Sequence, residues 1–271
     1  MPELPEVETI RCELQNLITG KKIKRVDIRL AKIIKAPATV FSQAALGATI
    51  KKISRRAKIL IFELDNGVSI IFHLKLSGQL IFNGALNKHT HLIFYFTDNT
   101  HLIFNDLRKF AYVKLIKTNE LPDFIKKEGL GPEPLKKEFT LRKFQALLEK
   151  KPNAKIKPWL MDQKNIAGIG NIYSAEILFA AGVHPFRKNN ALKTAEIKKI
   201  FQNIKKILCQ AIKYKGTSAE NYLDAFGKEG SYFRRLKVYS QEGKKCLKCQ
   251  GEIKRIKISG RSAYFCPRCQ T

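Results

Sequence analysis

The sequence predicts an α+β protein, in which an antiparallel β domain with a flanking helix precedes a helical domain that ends in a β-hairpin metal site. Three observations support this prediction. Short apolar runs separated by turn residues fill positions 50–116, helical periodicity dominates positions 139–214, and two C-x-x-C pairs lie near the end of the 271-residue chain. With 44% hydrophobic residues, the chain has enough apolar side chains for two domain cores.

The first predicted element is a helix from Leu4 to Ile18, because apolar residues recur there at helical spacing and Gly20 follows as a stop signal. Four strands are predicted next, in runs rich in Ile, Phe and Val at positions 58–64, 68–74, 91–96 and 101–104. Asp-Asn-Gly at 65–67 and Asp-Asn at 98–99 mark hairpin turns, so the strands are expected to pair antiparallel.

The second half of the chain is predicted to be helical after a break at positions 129–134, where glycine and proline interrupt regular structure. Helical periodicity covers 139–148, 172–180 and 195–214. Segment 166–171 predicts a tight turn between helices, in which Gly168 and Gly170 let the backbone approach a phosphate and Asn171 caps the next helix. A plain interhelical turn has a similar pattern, but the charge of the chain favours phosphate docking.

The chain is strongly basic, since 51 Lys and Arg residues against 23 Asp and Glu give a formal net charge of +28. This exceeds what solubility requires and predicts a polyanionic partner. A membrane surface is the less favoured polyanion, because no apolar run approaches the roughly 18 residues of a spanning helix and no basic amphipathic stretch has a broad aromatic face. Nucleic acid is the expected partner, and the absence of a signal-peptide pattern predicts a cytoplasmic protein.

Four of the six cysteines, Cys246, Cys249, Cys266 and Cys269, form two C-x-x-C pairs separated by sixteen residues. Disulfides are the alternative, but in a reducing compartment this spacing favours a four-thiolate zinc site on a β-hairpin, with Gly251 and Gly260 at the bends. Four cysteine ligands leave no coordination position for water. The sequence therefore predicts one structural Zn²⁺ and no catalytic metal.

The N-terminus carries a candidate nucleophile. Removal of Met1 would leave Pro2 as a free secondary amine, which can attack a sugar aldehyde and form a charged iminium that serves as an electron sink. With an α-amino pKa near 8, about a tenth of this amine is neutral at pH 7. The alternative is an ordinary proline at the first turn of a helix, with nearby glutamates complementing the helix dipole. The terminus by itself favours that alternative.

The segments together resemble the formamidopyrimidine-DNA glycosylase family of base-excision repair enzymes, over essentially the whole chain. The similarity rests on residues 2–8 (Pro-Glu-Leu-Pro-Glu-Val-Glu), on 166–173 and on the four-cysteine finger, with further matches at 54–58, 73–78, 106–110 and 260–266. The resemblance implies a β-sandwich at 1–118, a linker at 119–134, a helix-two-turn-helix domain with a lesion-capping loop at 135–237 and a zinc finger at 238–271. It also implies that DNA runs across the cleft between the two domains.

The resemblance implies catalytic roles for four residues. Pro2 matches the nucleophile that attacks the sugar C1′, displaces the damaged base and forms the iminium. Glu3 matches the acid that protonates the opening sugar ring, and burial would raise its pKa for that role. Glu6 matches a supporting carboxylate. Lys58 matches the lysine beside the lesion phosphate, although a solvated lysine at a strand start would have the same sequence context.

DNA contacts are implied at further positions. His73, Asn171 and Arg261 match phosphate contacts, although on sequence alone His73 also fits a core histidine. Because chemistry on a base inside a duplex requires its extrusion, a wedge must fill the gap. Arg108 and Phe110 match that wedge. Leu76 stands where the family usually has methionine, and Lys109 and Ala111 replace the usual arginine and glycine, which puts the efficiency of insertion and the opposite-base preference in question.

The segment from Gly216 to Val238 distinguishes two branches of the family. Its Gly-Thr-Ser-Ala-Glu-Asn-Tyr start, which includes Thr217, Ser218 and Tyr222, looks like the loop that closes over 8-oxoguanine in the purine branch, although a polar connector would be similar. The expected protein is a monomeric, cytoplasmic, nucleoid-associated glycosylase and lyase that removes oxidised purines from double-stranded DNA and cleaves it, also at abasic sites, by β,δ-elimination. The alternatives are an oxidised-pyrimidine glycosylase and a non-catalytic zinc-finger protein that binds damaged DNA.

Overall fold

A computed structural model describes residues 1–219 and 221–271. Glu220, which belongs to the predicted capping loop, lies outside the described residues. The chain forms two compact units, one of residues 1–128 with 214–233 and one of residues 129–213 with 234–271. The contacts therefore group residues 214–233 with the first unit, whereas the predicted boundaries assign them to the helical domain. The four predicted domain ranges stay predictions.

The first unit contains two four-stranded antiparallel sheets. One has the order β1-β6-β7-β5 and the other β2-β3-β4-β8. The strands are β1 (Ile23–Ile28), β2 (Ile50–Arg56), β3 (Ile59–Leu64), β4 (Val68–His73), β5 (Gly78–Phe82), β6 (Thr90–Phe96), β7 (His101–Asp106) and β8 (Tyr112–Lys117). Three helices accompany them, α1 (Leu4–Ile18), α2 (Ala38–Ala45) and α3 (Leu121–Lys127).

The two sheets share one apolar core. The ring of Phe72 in the second sheet lies 6.2 Å from that of Phe94 and 5.7 Å from that of Phe104, both in the first sheet. Helix α1 adds Val7 and Ile10 to the same core, one turn apart on its buried face. The prediction of an α+β fold with an antiparallel β-sandwich and a flanking helix is confirmed.

The described residues of the second unit form four α-helices and a hairpin. The helices are α4 (Leu141–Glu149), α5 (Ile156–Met161), α6 (Asn171–Ala181) and α7 (Thr194–Lys213), and the hairpin pairs β9 (Lys254–Ile258) with β10 (Arg261–Phe265). The predicted helical segments and the cysteine-bearing hairpin are confirmed. Two details of the glycine-rich turn differ from the prediction. The connection between α5 and α6 spans 162–170, and the N-cap of α6 is Gly170, because Asn171 already has helical geometry.

None of the helices among the described residues is both long and apolar enough to cross a lipid bilayer.

Candidate active site

Pro2 and the two carboxylates predicted beside it lie together at the start of α1. All three residues are buried, and the helix begins only at Leu4, so Pro2 precedes it. Glu6 Oε2 accepts the backbone N–H of Glu3 at 2.8 Å, and Glu6 Oε1 accepts the N–H of Thr217 at 2.8 Å. Glu6 therefore connects the chain next to Pro2 with a residue of the predicted capping loop, 211 positions further on.

Gly216 lies against the same carboxylate. A Cβ atom at this position would lie 2.8 Å from Glu6 Oε1, and the φ angle of +80° is one that side chains disfavour. Glycine is thus required here both by the close approach of the backbone to Glu6 and by its conformation. From sequence alone, Gly216 was predicted only to begin the segment that resembles the capping loop.

Lys58 lies in the turn between β2 and β3, and its residue is only 6% exposed despite the cationic side chain. The turn is tied to α1 by Arg55, whose Nε donates to Glu8 Oε2 at 2.7 Å and whose guanidinium also donates to the Ala57 carbonyl at 2.8 Å. Burial raises the pKa of Glu8, but hydrogen bonds from Arg11 and Arg55 outweigh it and lower the pKa overall. An ionised Glu8 therefore holds the backbone that presents Lys58.

His73 ends β4 and pairs in register with Ile59, the residue after Lys58. Burial, reinforced by the positive charges of Lys75 and Lys58, lowers the pKa of His73 to about 3. Its Nδ1 accepts the N–H of Lys75 at 3.1 Å, so the neutral ring carries its proton on Nε2. A neutral Nε2–H donor in a basic setting is suited to an anionic oxygen, as the predicted phosphate contact requires.

The predicted wedge residues differ in exposure. Phe110 is 59% exposed, and the Arg108 guanidinium lies 5.5 Å from the centre of its ring, within the range of a cation–π contact. Leu76 is half-buried. An exposed phenylalanine beside an arginine is available for insertion between bases, since neither side chain is committed to the core.

Asp106 is a further residue of this region to which the sequence analysis assigned no role. Its fully buried carboxylate accepts Ser77 Oγ at 2.5 Å and the N–H of Arg108 at 3.2 Å on Oδ1, and the N–H of Ala111 at 2.7 Å on Oδ2. Both loops that carry wedge residues are thereby fixed to one side chain. Asp106 and Ser77 lie inside the motifs 106–110 and 73–78, but nothing in those motifs shows that the two residues meet.

Residues of the predicted capping loop divide into two kinds. Thr217 bonds to Glu6, and Ser218 Oγ donates to the Tyr222 carbonyl at 2.8 Å and accepts the N–H of Gly230 at 2.9 Å. Tyr222 instead packs into the core of the first unit, where it is 5% exposed and where burial and the charges of Glu6 and other carboxylates raise its pKa well above the usual value. Its position suits an anchor rather than a contact with a base.

Asn171 and Arg261 belong to the second unit. Asn171 is the first residue of α6, where backbone N–H groups favour an anion, and its buried Oδ1 accepts no hydrogen bond from the described residues. Arg261 is exposed at the start of β10. Buried Lys157, which the sequence analysis did not single out, donates to the Asn171 carbonyl at 3.1 Å and to Ser174 Oγ at 2.9 Å and so holds the first turn of α6.

The four paired cysteines converge on one point. The sulfurs of Cys246, Cys249, Cys266 and Cys269 all lie within 4.8 Å of one another. Two of the separations, Cys246 to Cys269 and Cys249 to Cys266, are 3.8 and 3.5 Å. Tetrahedral Zn–S bonds of about 2.3 Å place sulfurs about 3.8 Å apart, so the cluster fits a zinc ion. The predicted structural zinc site is confirmed.

Family models match most of the chain in three consecutive parts. Residues 1–113 match the formamidopyrimidine-DNA glycosylase N-terminal domain, residues 130–222 match the formamidopyrimidine-DNA glycosylase H2TH domain, and residues 243–271 match a zinc finger found in FPG and IleRS. Among curated proteins, formamidopyrimidine-DNA glycosylase of Listeria innocua is 43% identical, with 100% of each chain covered. That of Lactiplantibacillus plantarum is 40% identical, with 98% of each chain covered.

Solved structures of the Lactococcus lactis Fpg protein superpose on the whole chain. Its complex with DNA containing an abasic site has a TM-score of 0.93 at 38% identity and covers 99% of both chains. Its complex with DNA containing Fapy-dG, solved with a mutant, has a TM-score of 0.94 at 38% identity and covers 100% of both chains. A complex of the wild-type protein with DNA containing an oxidised pyrimidine has a TM-score of 0.93, again at 38% identity with 100% of both chains covered.

Proposed function

The chain belongs to the formamidopyrimidine-DNA glycosylase family, and on that premise we propose a bifunctional base-excision repair enzyme that uses Pro2 as its nucleophile. Its substrates are oxidised purines, namely 8-oxoguanine and ring-opened formamidopyrimidines, in double-stranded DNA. The observation that supports this most directly is the buried terminus, where Pro2 and Glu3 adjoin a Glu6 carboxylate that accepts backbone N–H groups on both oxygens.

The proposed chemistry begins after loss of Met1. The neutral Pro2 amine forms a bond to C1′ as the glycosidic bond breaks, and the base leaves with the bonding electrons and takes up the proton that the Pro2 nitrogen gives up. Glu3 protonates the ring oxygen as the sugar opens to the iminium. The iminium withdraws electrons, so the Glu3 carboxylate, now ionised, takes a proton from C2′ and the 3′-phosphate is eliminated. Loss of a proton from C4′ then eliminates the 5′-phosphate. Water hydrolyses the remaining iminium and frees Pro2, which completes β,δ-elimination.

The remaining residues have supporting roles in this proposal. Glu6 orients the backbone beside the nucleophile, and Lys58 with neutral His73 binds phosphate near the lesion. Asn171 at the start of α6 and exposed Arg261 bind further phosphates in the second unit. The zinc ion shapes the finger that carries Arg261 and takes no part in the reaction.

The wedge of Leu76, Arg108 and Phe110 fills the space left by the extruded nucleotide. Leu76 is shorter and stiffer than the usual methionine, so most of the stacking surface comes from the exposed Phe110 ring. Thr217 and Ser218 belong to the segment that covers the extruded purine. With a net charge of +28, binding should weaken steeply with added salt as condensed counterions are released.

A second candidate substrate is an oxidised pyrimidine. The observation that favours it is the complex of the wild-type Lactococcus lactis protein, 38% identical to this chain, with DNA that contains such a base. A non-catalytic DNA-binding protein is disfavoured, because such a protein has no use for a buried proline beside Glu3 at its terminus. We further infer a monomer that works in the cytoplasm at the bacterial nucleoid.

Borohydride trapping tests the proposed chemistry. The Met1-processed protein is mixed with a duplex that carries 8-oxoguanine opposite cytosine, and a reduced adduct is located by peptide mass. An adduct on Pro2 supports the iminium and the purine substrate together. An adduct only with an oxidised pyrimidine would transfer the proposal to that substrate. Tight DNA binding without any adduct would leave the binding protein as the better description.

Two variants separate chemistry from binding. Pro2→Gly and Glu3→Gln are expected to lose base excision while their affinity for the duplex stays unchanged, because neither change removes a cationic contact. Retention of Met1 should have the same effect as Pro2→Gly, since the Pro2 nitrogen then stays in an amide bond to Met1 and is not nucleophilic. Unchanged turnover in either variant would contradict the assigned roles.

A further inference from the structure

Residues 214–233, hereafter the 214–233 segment, belong to the first unit, and hydrogen bonds between the two ends of the segment form a closed neck. The N–H of Ser231 donates to the Tyr214 carbonyl at 2.9 Å, and the N–H of Tyr232 donates to the Gly216 carbonyl at 3.0 Å. A Cβ atom at Gly230 would lie 2.3 Å from the Lys215 carbonyl oxygen, so the two strands of the neck are in close contact. Because the two ends of the segment are joined, a contact that positions one end also constrains the other.

In the half of the segment after Tyr222, the backbone of Ala225 forms an anchor to two elements of the first unit. The N–H of Ala225 donates to Glu13 Oε2 at 2.9 Å, and the Ala225 carbonyl accepts the N–H of Phe82 at 2.8 Å. One side of this anchor is thus helix α1 and the other is strand β5. The Ala225 methyl group is fully buried in the core of the first unit.

An ion triad surrounds this anchor. Lys215 Nζ lies 2.8 Å from Glu13 Oε1 and 3.3 Å from Asp224 Oδ2. This one ammonium group therefore joins the neck, helix α1 and the half of the segment after Tyr222. Asp224 is fully buried and its Oδ1 also accepts the N–H groups of Phe226 at 3.0 Å and Lys228 at 2.8 Å. The Glu13 side chain is only 11% exposed.

The lysine has an electrostatic function in this triad. Two carboxylates with little access to water share one ammonium group, and without it their like charges would repel each other at short range. Lys215 itself is half exposed, so the pair it forms with Glu13 contributes little to global stability. The effect of Lys215 is to fix the position of the 214–233 segment on helix α1.

We propose that Glu13 and Lys215 are positioning residues that, with Asp224, fix the 214–233 segment on helix α1. They thereby keep Thr217 and Ser218 in a constant position relative to Glu6. This inference rests on the proposed function, in which the segment covers the extruded purine. Glu6 and Glu13 lie seven residues apart on one helix, about two turns, and both accept an N–H group of the segment. Helix α1, which begins beside Pro2, therefore also sets the position of the 214–233 segment.

The proposal separates two reactions of one enzyme. Excision of 8-oxoguanine requires the base to be held, whereas cleavage at an abasic site involves no base and needs only Pro2, Glu3 and the phosphate contacts. Loss of the triad should therefore reduce the first reaction and spare the second. A merely structural role would reduce both equally.

The experiment compares single-turnover rates of full-length variants on duplexes with 8-oxoguanine opposite cytosine and with a preformed abasic site. Glu13→Ala and Lys215→Met are expected to lower excision about tenfold, the usual scale for hydrogen bonds to charged groups, with abasic-site cleavage changed less than about twofold. Glu13→Gln, which keeps one acceptor for Ala225, should lose less. Lys215→Arg should restore most of the activity.

Glu63→Ala serves as the matched control, because Glu63 pairs with Lys52 at 3.6 Å between β2 and β3 and its side chain is also mostly covered. It should change neither rate. Equal losses on both duplexes, or unchanged excision in Glu13→Ala and Lys215→Met, would overturn the proposal. If the wild-type protein cleaves abasic sites but excises no purine lesion, the proposed purine specificity fails, and this inference with it.

Discussion

Replacement of Asp106 by asparagine should disorder both wedge loops at once. The carboxylate accepts Ser77 Oγ and the N–H of Arg108 on one oxygen and the N–H of Ala111 on the other. An asparagine offers only one acceptor oxygen. If that oxygen faces Ser77, the NH₂ group of the asparagine faces the N–H of Ala111, so two donors oppose each other. Ala111 is 4% exposed and has no access to replacement water. One charge-assisted bond is lost and one buried donor is unpaired, which together cost about 2–4 kcal/mol.

Urea unfolding measures this cost. Asp106→Asn should lower the free energy of unfolding by that amount without a change in slope, and the rate of 8-oxoguanine excision should fall because the wedge is no longer held. Asp98→Asn is the control, since Asp98 also accepts the N–H of a residue two positions on, Thr100, but in an exposed turn. The reasoning is refuted if Asp106→Asn unfolds at the same urea concentration as the control.

Three further predictions concern His73, Glu176 and the zinc finger. Because the pKa of His73 is lowered to about 3, its ring stays neutral in the folded protein while the unfolded chain takes up a proton below about pH 6.5. The free energy of unfolding should fall as pH drops from about 6.5 toward 3, and His73→Gln should flatten that dependence; parallel profiles would contradict it. Glu176 is 3% exposed and accepts the N–H groups of Lys237, Val238 and Tyr239 at 2.9–3.0 Å. Glu176→Gln should therefore lower the free energy of unfolding in urea by about 1–3 kcal/mol. A loss below about 0.5 kcal/mol would show that other contacts hold residues 237–239. Cys249→Ser should lose bound zinc, measured by atomic absorption, together with DNA affinity, since a structural site contributes about 10–16 kcal/mol to folding of its finger. Full zinc content with full affinity would refute the assignment.

The strands show which elements the sequence could predict. All four predicted strands, β3, β4, β6 and β7, are central in their sheets, whereas the four strands that the sequence analysis did not predict, β1, β2, β5 and β8, are all edge strands. A central strand of the sandwich is paired on both sides and largely buried, so it forms a continuous apolar run. Three of the four edge strands carry charge, as β2 does with the sequence Ile-Lys-Lys-Ile-Ser-Arg-Arg, and the uncharged β5 is only five residues long. The sequence of such an edge strand resembles that of a loop, and only its pairing with a neighbouring strand identifies it as a strand.

The sequence by itself determined what depends on local spacing. It gave the bounds of α1, because apolar periodicity and a stop glycine act within one helix, and it gave the zinc ligands, because a C-x-x-C knuckle is a local structure. It also carried the motifs by which the family is identified. Each of these features requires only neighbours along the chain.

Only the tertiary structure decided which acceptors meet which donors across the fold. Glu6 meets the N–H of Thr217 across 211 positions, and Glu13 meets that of Ala225 across 212. Asp106 likewise reaches Ser77 across 29 positions. A buried backbone N–H must be paired, but the sequence does not say which carboxylate pairs it, because that depends on where two separate elements come to lie. The position of the 214–233 segment on α1 is therefore determined by the packing of the first unit. The sequences of the segment and of the helix do not determine it separately.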